Sequence, residues 1–241
     1  MPQKLDYPRL YGAPLIDPVH VKPLLRDPEL HWKQGRSAYE AAHSWVPAGL
    51  YANGGWPPKV SAAISGAPEW RSAKIVTGFF EHATALDTMS APSNTDVLLV
   101  CNLGENLGVA AIEAKAGETF GERVQDWKTS DGKARRYQWA CDLFGVDAAD
   151  CEALRWQLFH RTAAAVLEAE RFCARHAVMI VHDFSGASAS LNDFEAFADR
   201  LGASGNPLDG ISDPIWVRGI SLRLSWVRDS PLPVPPEASK F

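Results

Sequence analysis

The chain has 241 residues, 46% of them hydrophobic and 22% charged, enough to bury one substantial core and ordinary for a folded globular protein. Its net charge of −5 excludes the global basic bias that drives nonspecific nucleic-acid binding, so any contact with DNA or RNA must use a local patch. The cysteines Cys101, Cys141, Cys151 and Cys173 form no C-x-x-C pair, which argues against zinc and suits a reducing cytoplasm. MPQKLDYPRL lacks the apolar stretch of a signal peptide, and no run approaches the roughly 18 apolar residues of a membrane span. The expectation is a cytoplasmic protein with no membrane partner.

Taken in order, proline-rich residues 1–34 read as an extended arm with short turns. Residues 33–46 read as a helix in which Ser37 caps and Glu40 stands at the capping-box spacing. Tyr39, Ala42, Trp45 and Val46 form its apolar stripe. A Gly- and Pro-rich loop follows, and the segment between Trp56 and Trp70 has room for a short helix. Residues 74–86 read as a strand bent at Gly78. Residues 95–101 and 108–115 are apolar, β-rich runs separated by NLGENL, a turn. Residues 117–136 turn polar, with a turn at Asp131-Gly132, and 137–144 continue as a short helix. Residues 150–175, rich in alanine, are the strongest helix of the chain, and 177–184 are a buried strand. An amphipathic helix over 190–203 and an outer strand within 216–229 precede a loose tail. The reading is a single α/β domain over 1–241, with an arm to 34, a core over 35–185 and a C-terminal extension from 186.

The chemistry gathers on the central hairpin. A turn centred on Gly104-Glu105, with Gly at the first central position, suits type II′. Pairing then runs at a constant sum of residue numbers, which sets Asp96 opposite Glu113. Side chains alternate along a strand, so Lys115 projects from the same face as Glu113. Facing carboxylates repel, so a cation belongs between them, and hard oxygen ligands suit Mg²⁺ or Mn²⁺.

Asp96, with Glu113-Ala114-Lys115 after it, resembles the Asp…Glu-x-Lys core of the PD-(D/E)xK, or restriction-endonuclease-like, superfamily. Thr95 stands where that pattern has proline, and Pro92 lies upstream. The resemblance covers about residues 35–185 and implies an αβββαβ core with a mixed central sheet flanked by helices. The helix, strand, strand, strand, helix, strand succession read from pattern agrees with that order. The resemblance further implies that Asp96, Glu113 and the Ala114 carbonyl ligate Mg²⁺ (or Mn²⁺), with Glu40 as an extra ligand. Lys115 would orient or activate the attacking water and balance phosphate charge. Gln157 and Arg161, four apart on one helix face, would touch substrate. The segment KTSDGKARR, with Lys128, Lys133, Arg135 and Arg136, would form a flexible basic loop beside the site. The implied activity is metal-dependent hydrolysis of phosphodiester bonds in DNA, RNA being second, in a bacterial defence or repair setting. Many nucleases of this class pair up to cut two strands, which makes a homodimer a hypothesis.

Two other readings compete. The acidic charge, the missing proline and the lack of a separate target-recognition domain point to a catalytically silent member acting in binding or assembly. A hydrolase built on His82, His160 or His182 is the third, but no matched nucleophile motif accompanies them. Glu81-His82 are adjacent on a strand, so one of the two faces Asp96. His182-Asp183 point apart for the same reason, and SGAS after them lacks the Lys of a phosphate loop.

Overall fold

The computed structural model describes residues 15–87, 91–185 and 190–231. The first part of the expected arm, the SGAS glycine and the tail lie outside them. In chain order the elements are α1 (Pro28–His31), α2 (Ser37–Tyr51), α3 (Pro58–Ile64), β1 (Lys74–Thr84), β2 (Ser93–Asn102), β3 (Leu107–Lys115), α4 (Val124–Trp127), α5 (Asp131–Phe144), α6 (Trp156–Arg171), β4 (His176–Asp183), α7 (Leu191–Arg200), β5 (Ile215–Val217) and β6 (Ile220–Arg228).

The strands form a mixed, open six-stranded sheet in the order β1-β2-β3-β4-β6-β5. The first three make an antiparallel meander, β3, β4 and β6 run parallel, and β5 returns antiparallel on β6. The central strands are apolar at nearly every position because helices cover both faces. On one face, Trp45 of α2 and Val60 and Ile64 of α3 pack on Val97, Ile112 and Ile180. On the other, Phe159 of α6 and Phe194 and Phe197 of α7 pack on Met179, Val181 and Trp226. The alanines of α6 lie on Leu98, Val109 and Ala111 of the same face. Residues of alternate parity therefore serve two cores, and Asp96, Glu113 and Lys115 share the parity of the α6 face. Among the described residues no helix is long and apolar enough to cross a membrane.

Four expectations need correcting. The arm is not peripheral throughout: Val21 and Leu25 are buried against Ala42 and Val46 of α2. The strongest helix begins only at Trp156, because the residues before it pair with another segment. Leu154 and Glu152 carbonyls accept from Val124 and Gln125 at 2.8 and 2.9 Å, and Trp156 N–H donates to Glu122. The expected outer strand is a β5–β6 hairpin whose longer arm lies inside the sheet, matched to β4 over His176–Asp183. Strand β1 slips register between Ile75 and Thr77 rather than at Gly78. Gly78 instead permits close approach, since a Cβ there would sit 2.7 Å from Leu99 Cδ2.

Candidate active site

The hairpin forms as its sequence requires. Leu103 N–H donates to Asn106 O at 2.9 Å, and Gly104 takes φ +93°, a value other residues resist. The ladder runs from Asn102–Leu107 to Val97–Ile112, and one more step sets Asp96 opposite Glu113. There the backbone pairing ends: Asp96 Oδ2 accepts the Ala114 N–H at 2.7 Å, replacing a ladder bond with a side chain.

Strand β1 supplies a third acid through a break in its pleat. Phe80 pairs with Val97 and His82 with Thr95, leaving Glu81 across from Asp96. Glu81 has φ +51°, a left-handed conformation in which a non-glycine residue is strained and which concentrates at functional sites. Regular alternation stops at that residue. His82 Nε2 and Thr84 Oγ1 both reach Glu168 of α6, at 3.0 and 2.8 Å, while Phe79 also packs on the α6 side. Burial raises the Glu81 pKa, Arg161 opposes that, and Glu113 adds to it.

Helix α6 lays Gln157, His160 and Arg161 over this corner at helical spacing. Gln157 Nε2 donates to Glu113 Oε1 at 2.7 Å, and Gln157 Oε1 accepts from Lys115 Nζ at 3.1 Å. Lys115 Nζ also donates to Glu113 Oε1 at 2.7 Å. Arg161 Nε donates to Glu113 Oε2, and its Nη1 reaches Ser93 Oγ at 3.0 Å. Glu113 and Lys115 are 3% and 5% exposed. Burial alone would raise the Glu113 carboxyl, but Arg161 and Lys115 outweigh it and hold it down at about 2. Asp96 goes the other way. Burial and the neighbouring Glu113 charge push it up to about 8, because Arg161 and Lys115 are already committed to Glu113.

The structure brings Asp96, Glu113, Ala114, Lys115, Gln157 and Arg161 together, while Glu40, Lys128, Lys133 and Arg136 are held by other partners. Glu40 sits on α2, whose Trp45 packs on the opposite face of the sheet, and its carboxylate accepts the Gly35 N–H at 2.8 Å. Ser37 does not cap that helix; Arg36 holds the cap position with no side-chain bond, and Ser37 N–H donates to Glu118 at 3.2 Å. The basic segment is no flexible loop. Ser130 caps α5, which opens at Asp131-Gly132 rather than turning there. Arg136 is buried and forks onto Asp87 at 3.0 and 2.6 Å, with Ala91 O at 2.8 Å. Lys128 pairs with Glu152. Lys133 lies over the Trp127 ring, 5.2 Å from its centre, and Arg135 is exposed. Replacing Arg136 by alanine should therefore lower stability by about 1.5–3 kcal/mol, the worth of hydrogen bonds to a charged group, with little direct effect on ligand binding. Chemical denaturation of the variant checks this.

Ser93 and Phe120, which the sequence did not single out, complete the corner with the histidines. Ser93 is buried between Arg161 and His160, whose Nδ1 lies 2.8 Å from its Oγ. Burial lowers the His160 pKa well below its ordinary value, and its Nδ1 shares a hydrogen bond with the Ser93 hydroxyl. Because Ser93 is 2% exposed, this pair does not make a nucleophile. His182 is likewise structural: Trp45 Nε1 donates to its Nδ1 at 3.2 Å, and its Nε2 faces Asp229 at 3.2 Å. Asp183 pairs with Lys115 across the parallel ladder, and its Oδ2 is buried with no hydrogen-bond partner among the described residues. Phe120 packs on Lys115, its ring centre 4.9 Å from Nζ. Beside it opens a cleft of about 220 Å³ lined by Phe120, Gly121, Glu122, Trp127, Trp156, Gln157 and His160. A wider apolar groove of about 820 Å³, bounded by Trp45, Leu50, Ile75 and Phe79, runs along β1 and touches none of these acids.

The family model described as a domain of unknown function (DUF6946) matches residues 14–231, and the chain belongs to that family. No curated protein and no solved structure matches it.

Proposed function

We propose that this family member hydrolyses phosphodiester bonds in nucleic acid, DNA before RNA, using a Mg²⁺ or Mn²⁺ ion on a restriction-endonuclease-like core. The observation that carries the reading is the facing carboxylate pair, in which Asp96 is pushed up to about 8 beside an ionised Glu113. A divalent cation between the two carboxylates would offset their repulsion. The order α2-β1-β2-β3-α6-β4, with α3 inserted before β1 and α4 and α5 before α6, has an antiparallel hairpin and a parallel crossover and supports the same reading.

Among the described residues no three His, Cys, Asp or Glu side chains gather into a metal-holding group. The donors nevertheless fit an ion of the Mg²⁺ type, which keeps several waters and takes one or two carboxylates plus substrate phosphate. Asp96, Glu113 and the Ala114 carbonyl would hold it. Once bound, it would polarise the phosphoryl oxygens and lower the pKa of a bound water.

The chain's own groups do the rest. Lys115 Nζ is fixed by Glu113 and Gln157 and offers positive charge where charge develops on the phosphate. Gln157 bridges the acid and the lysine and so sets the distance between them. For Glu113 to hold the ion, Arg161 would give up Glu113 Oε2 and keep Ser93 as its second anchor.

A binding role without chemistry is favoured by one observation: both Glu113 oxygens are already taken by Arg161, Lys115 and Gln157. Incubating labelled DNA and RNA with Mn²⁺ separates the two. The nuclease reading expects cleavage that a chelator stops and that Lys115→Met reduces about a hundredfold or more. Binding with no cleavage by the native protein would select the second role.

A further inference from the structure

We propose that the Arg161 guanidinium is the resident counter-ion of the acids and that it and a divalent ion exclude each other at Glu113. The site then has two states, one closed on arginine and one open to the ion. This rests on the cation reading above and adds a gate to it. Glu81 of β1 lies across from Asp96 of β2, and Asp96 lies opposite Glu113 of β3, so three acids stand in a row across neighbouring strands. Helix α6 sets Arg161 over that row. Burial opposes the guanidinium charge, and Glu113, Asp96 and Glu81 together outweigh it. At 9% exposure, protein groups rather than water answer that charge.

The contacts make the exclusion. Lys115 and Gln157 both donate to Glu113 Oε1, whereas Arg161 Nε donates to Oε2. An ion of the Mg²⁺ type needs its oxygens at about 2.0–2.1 Å, closer than any hydrogen-bonded nitrogen. Oε2 is the oxygen held by one donor, so Arg161 is the group that leaves. It is not stranded by leaving, because its Nη1 keeps Ser93 Oγ at 3.0 Å, and that hydroxyl is steadied by His160 Nδ1 at 2.8 Å. The guanidinium spreads one charge over a planar fork. A divalent ion concentrates two, and the repulsion that the acids retain around a single cation drives the exchange.

Calorimetry of Mg²⁺ binding tests the proposal on the native protein and on Arg161→Met, which keeps an apolar stem and removes the charge. Each protein is measured at the pH where its affinity levels off, so that protons do not compete. The variant should bind about tenfold or more tighter, the size of effect that one neighbouring charge has on a carboxylate. Circular dichroism establishes that it folds. In ¹⁵N-labelled native protein the Arg161 Nε–H resonance, assigned through bonds, should shift on Mg²⁺ addition and exchange faster with water. Should Arg161→Met not fold, that resonance decides alone. Equal or weaker Mg²⁺ affinity in a folded Arg161→Met, or an unmoved Arg161 resonance in native protein saturated with Mg²⁺, would overturn the inference. Cleavage by the native protein in that case leaves the nuclease reading intact. Tighter binding in the variant, with no cleavage by the native protein, would keep the gate and remove the nuclease. No Mg²⁺ bound by either protein overturns the inference as well, and takes the nuclease reading with it only where cleavage is absent too.

Discussion

Replacing Glu113 by alanine should lower the stability of the fold by about 3–5 kcal/mol, the cost of breaking a buried pair and leaving its charges uncompensated. Glu113 is the common acceptor of Arg161, Lys115 and Gln157, and both cations are buried, at 9% and 5% exposure. Without the carboxylate they lose their common acceptor, leaving Asp96 and Glu81 as the acids that act on Arg161. Urea denaturation of Glu113→Ala measures the loss. Adding Arg161→Met to that variant should recover part of it, because the second change removes one stranded charge. Native-like stability in Glu113→Ala would mean that the network is weaker than its geometry states. The same argument makes alanine a poor probe of catalysis here. Glu113→Gln, which keeps the shape and an acceptor oxygen, is the better one.

The second large effect is a dependence of cation binding on pH. Asp96 has its pKa raised to about 8 by burial and by Glu113. An ion must displace that proton, so affinity for Mn²⁺ should rise nearly tenfold per pH unit well below 8, about fiftyfold from pH 6 to 8, and level off above. For the ion-free protein the sign is opposite. A carboxyl whose folded pKa exceeds its unfolded value contributes stability that is fully present below the unfolded pKa, near 3.8, and is lost as pH rises through 8. Asp96→Asn should flatten that part of the stability profile and abolish the pH dependence of Mn²⁺ binding. A variant with the native pH slope would assign the titration to another group, Glu81 being the next raised carboxyl.

The facing of Asp96 and Glu113 was legible because a two-residue turn and strict alternation leave a hairpin one register. The α/β class and the sheet's helical cover were legible for a similar reason: strands buried on both faces read as continuous apolar runs. What was hidden depends on contacts distant in sequence. Nothing local to Glu81 announces a left-handed residue inside a strand, and without that break neither Glu81 beside Asp96 nor His82 on Glu168 follows from alternation. Arg161 looked like a residue for substrate because its helix face was right; that it spends its charge on Glu113 requires β3 beneath it. Arg136 looked solvated in a charged run, yet Asp87, well upstream, draws it into the protein. The start of α6 was misplaced because residues 150–155 read as helical while the Glu152 and Leu154 carbonyls serve α4. Ser130 was a visible cap passed over for the Asp-Gly pair after it.

The most direct measurement is calorimetry of Mn²⁺ at pH 8 on the native protein and on Asp96→Asn with Glu113→Gln, each alone and with a short single strand present. The account predicts a binding heat for the native protein, with protons released to the buffer, and none for the double variant. Equal heats from the two proteins, or none from the native protein even with the strand, would contradict it.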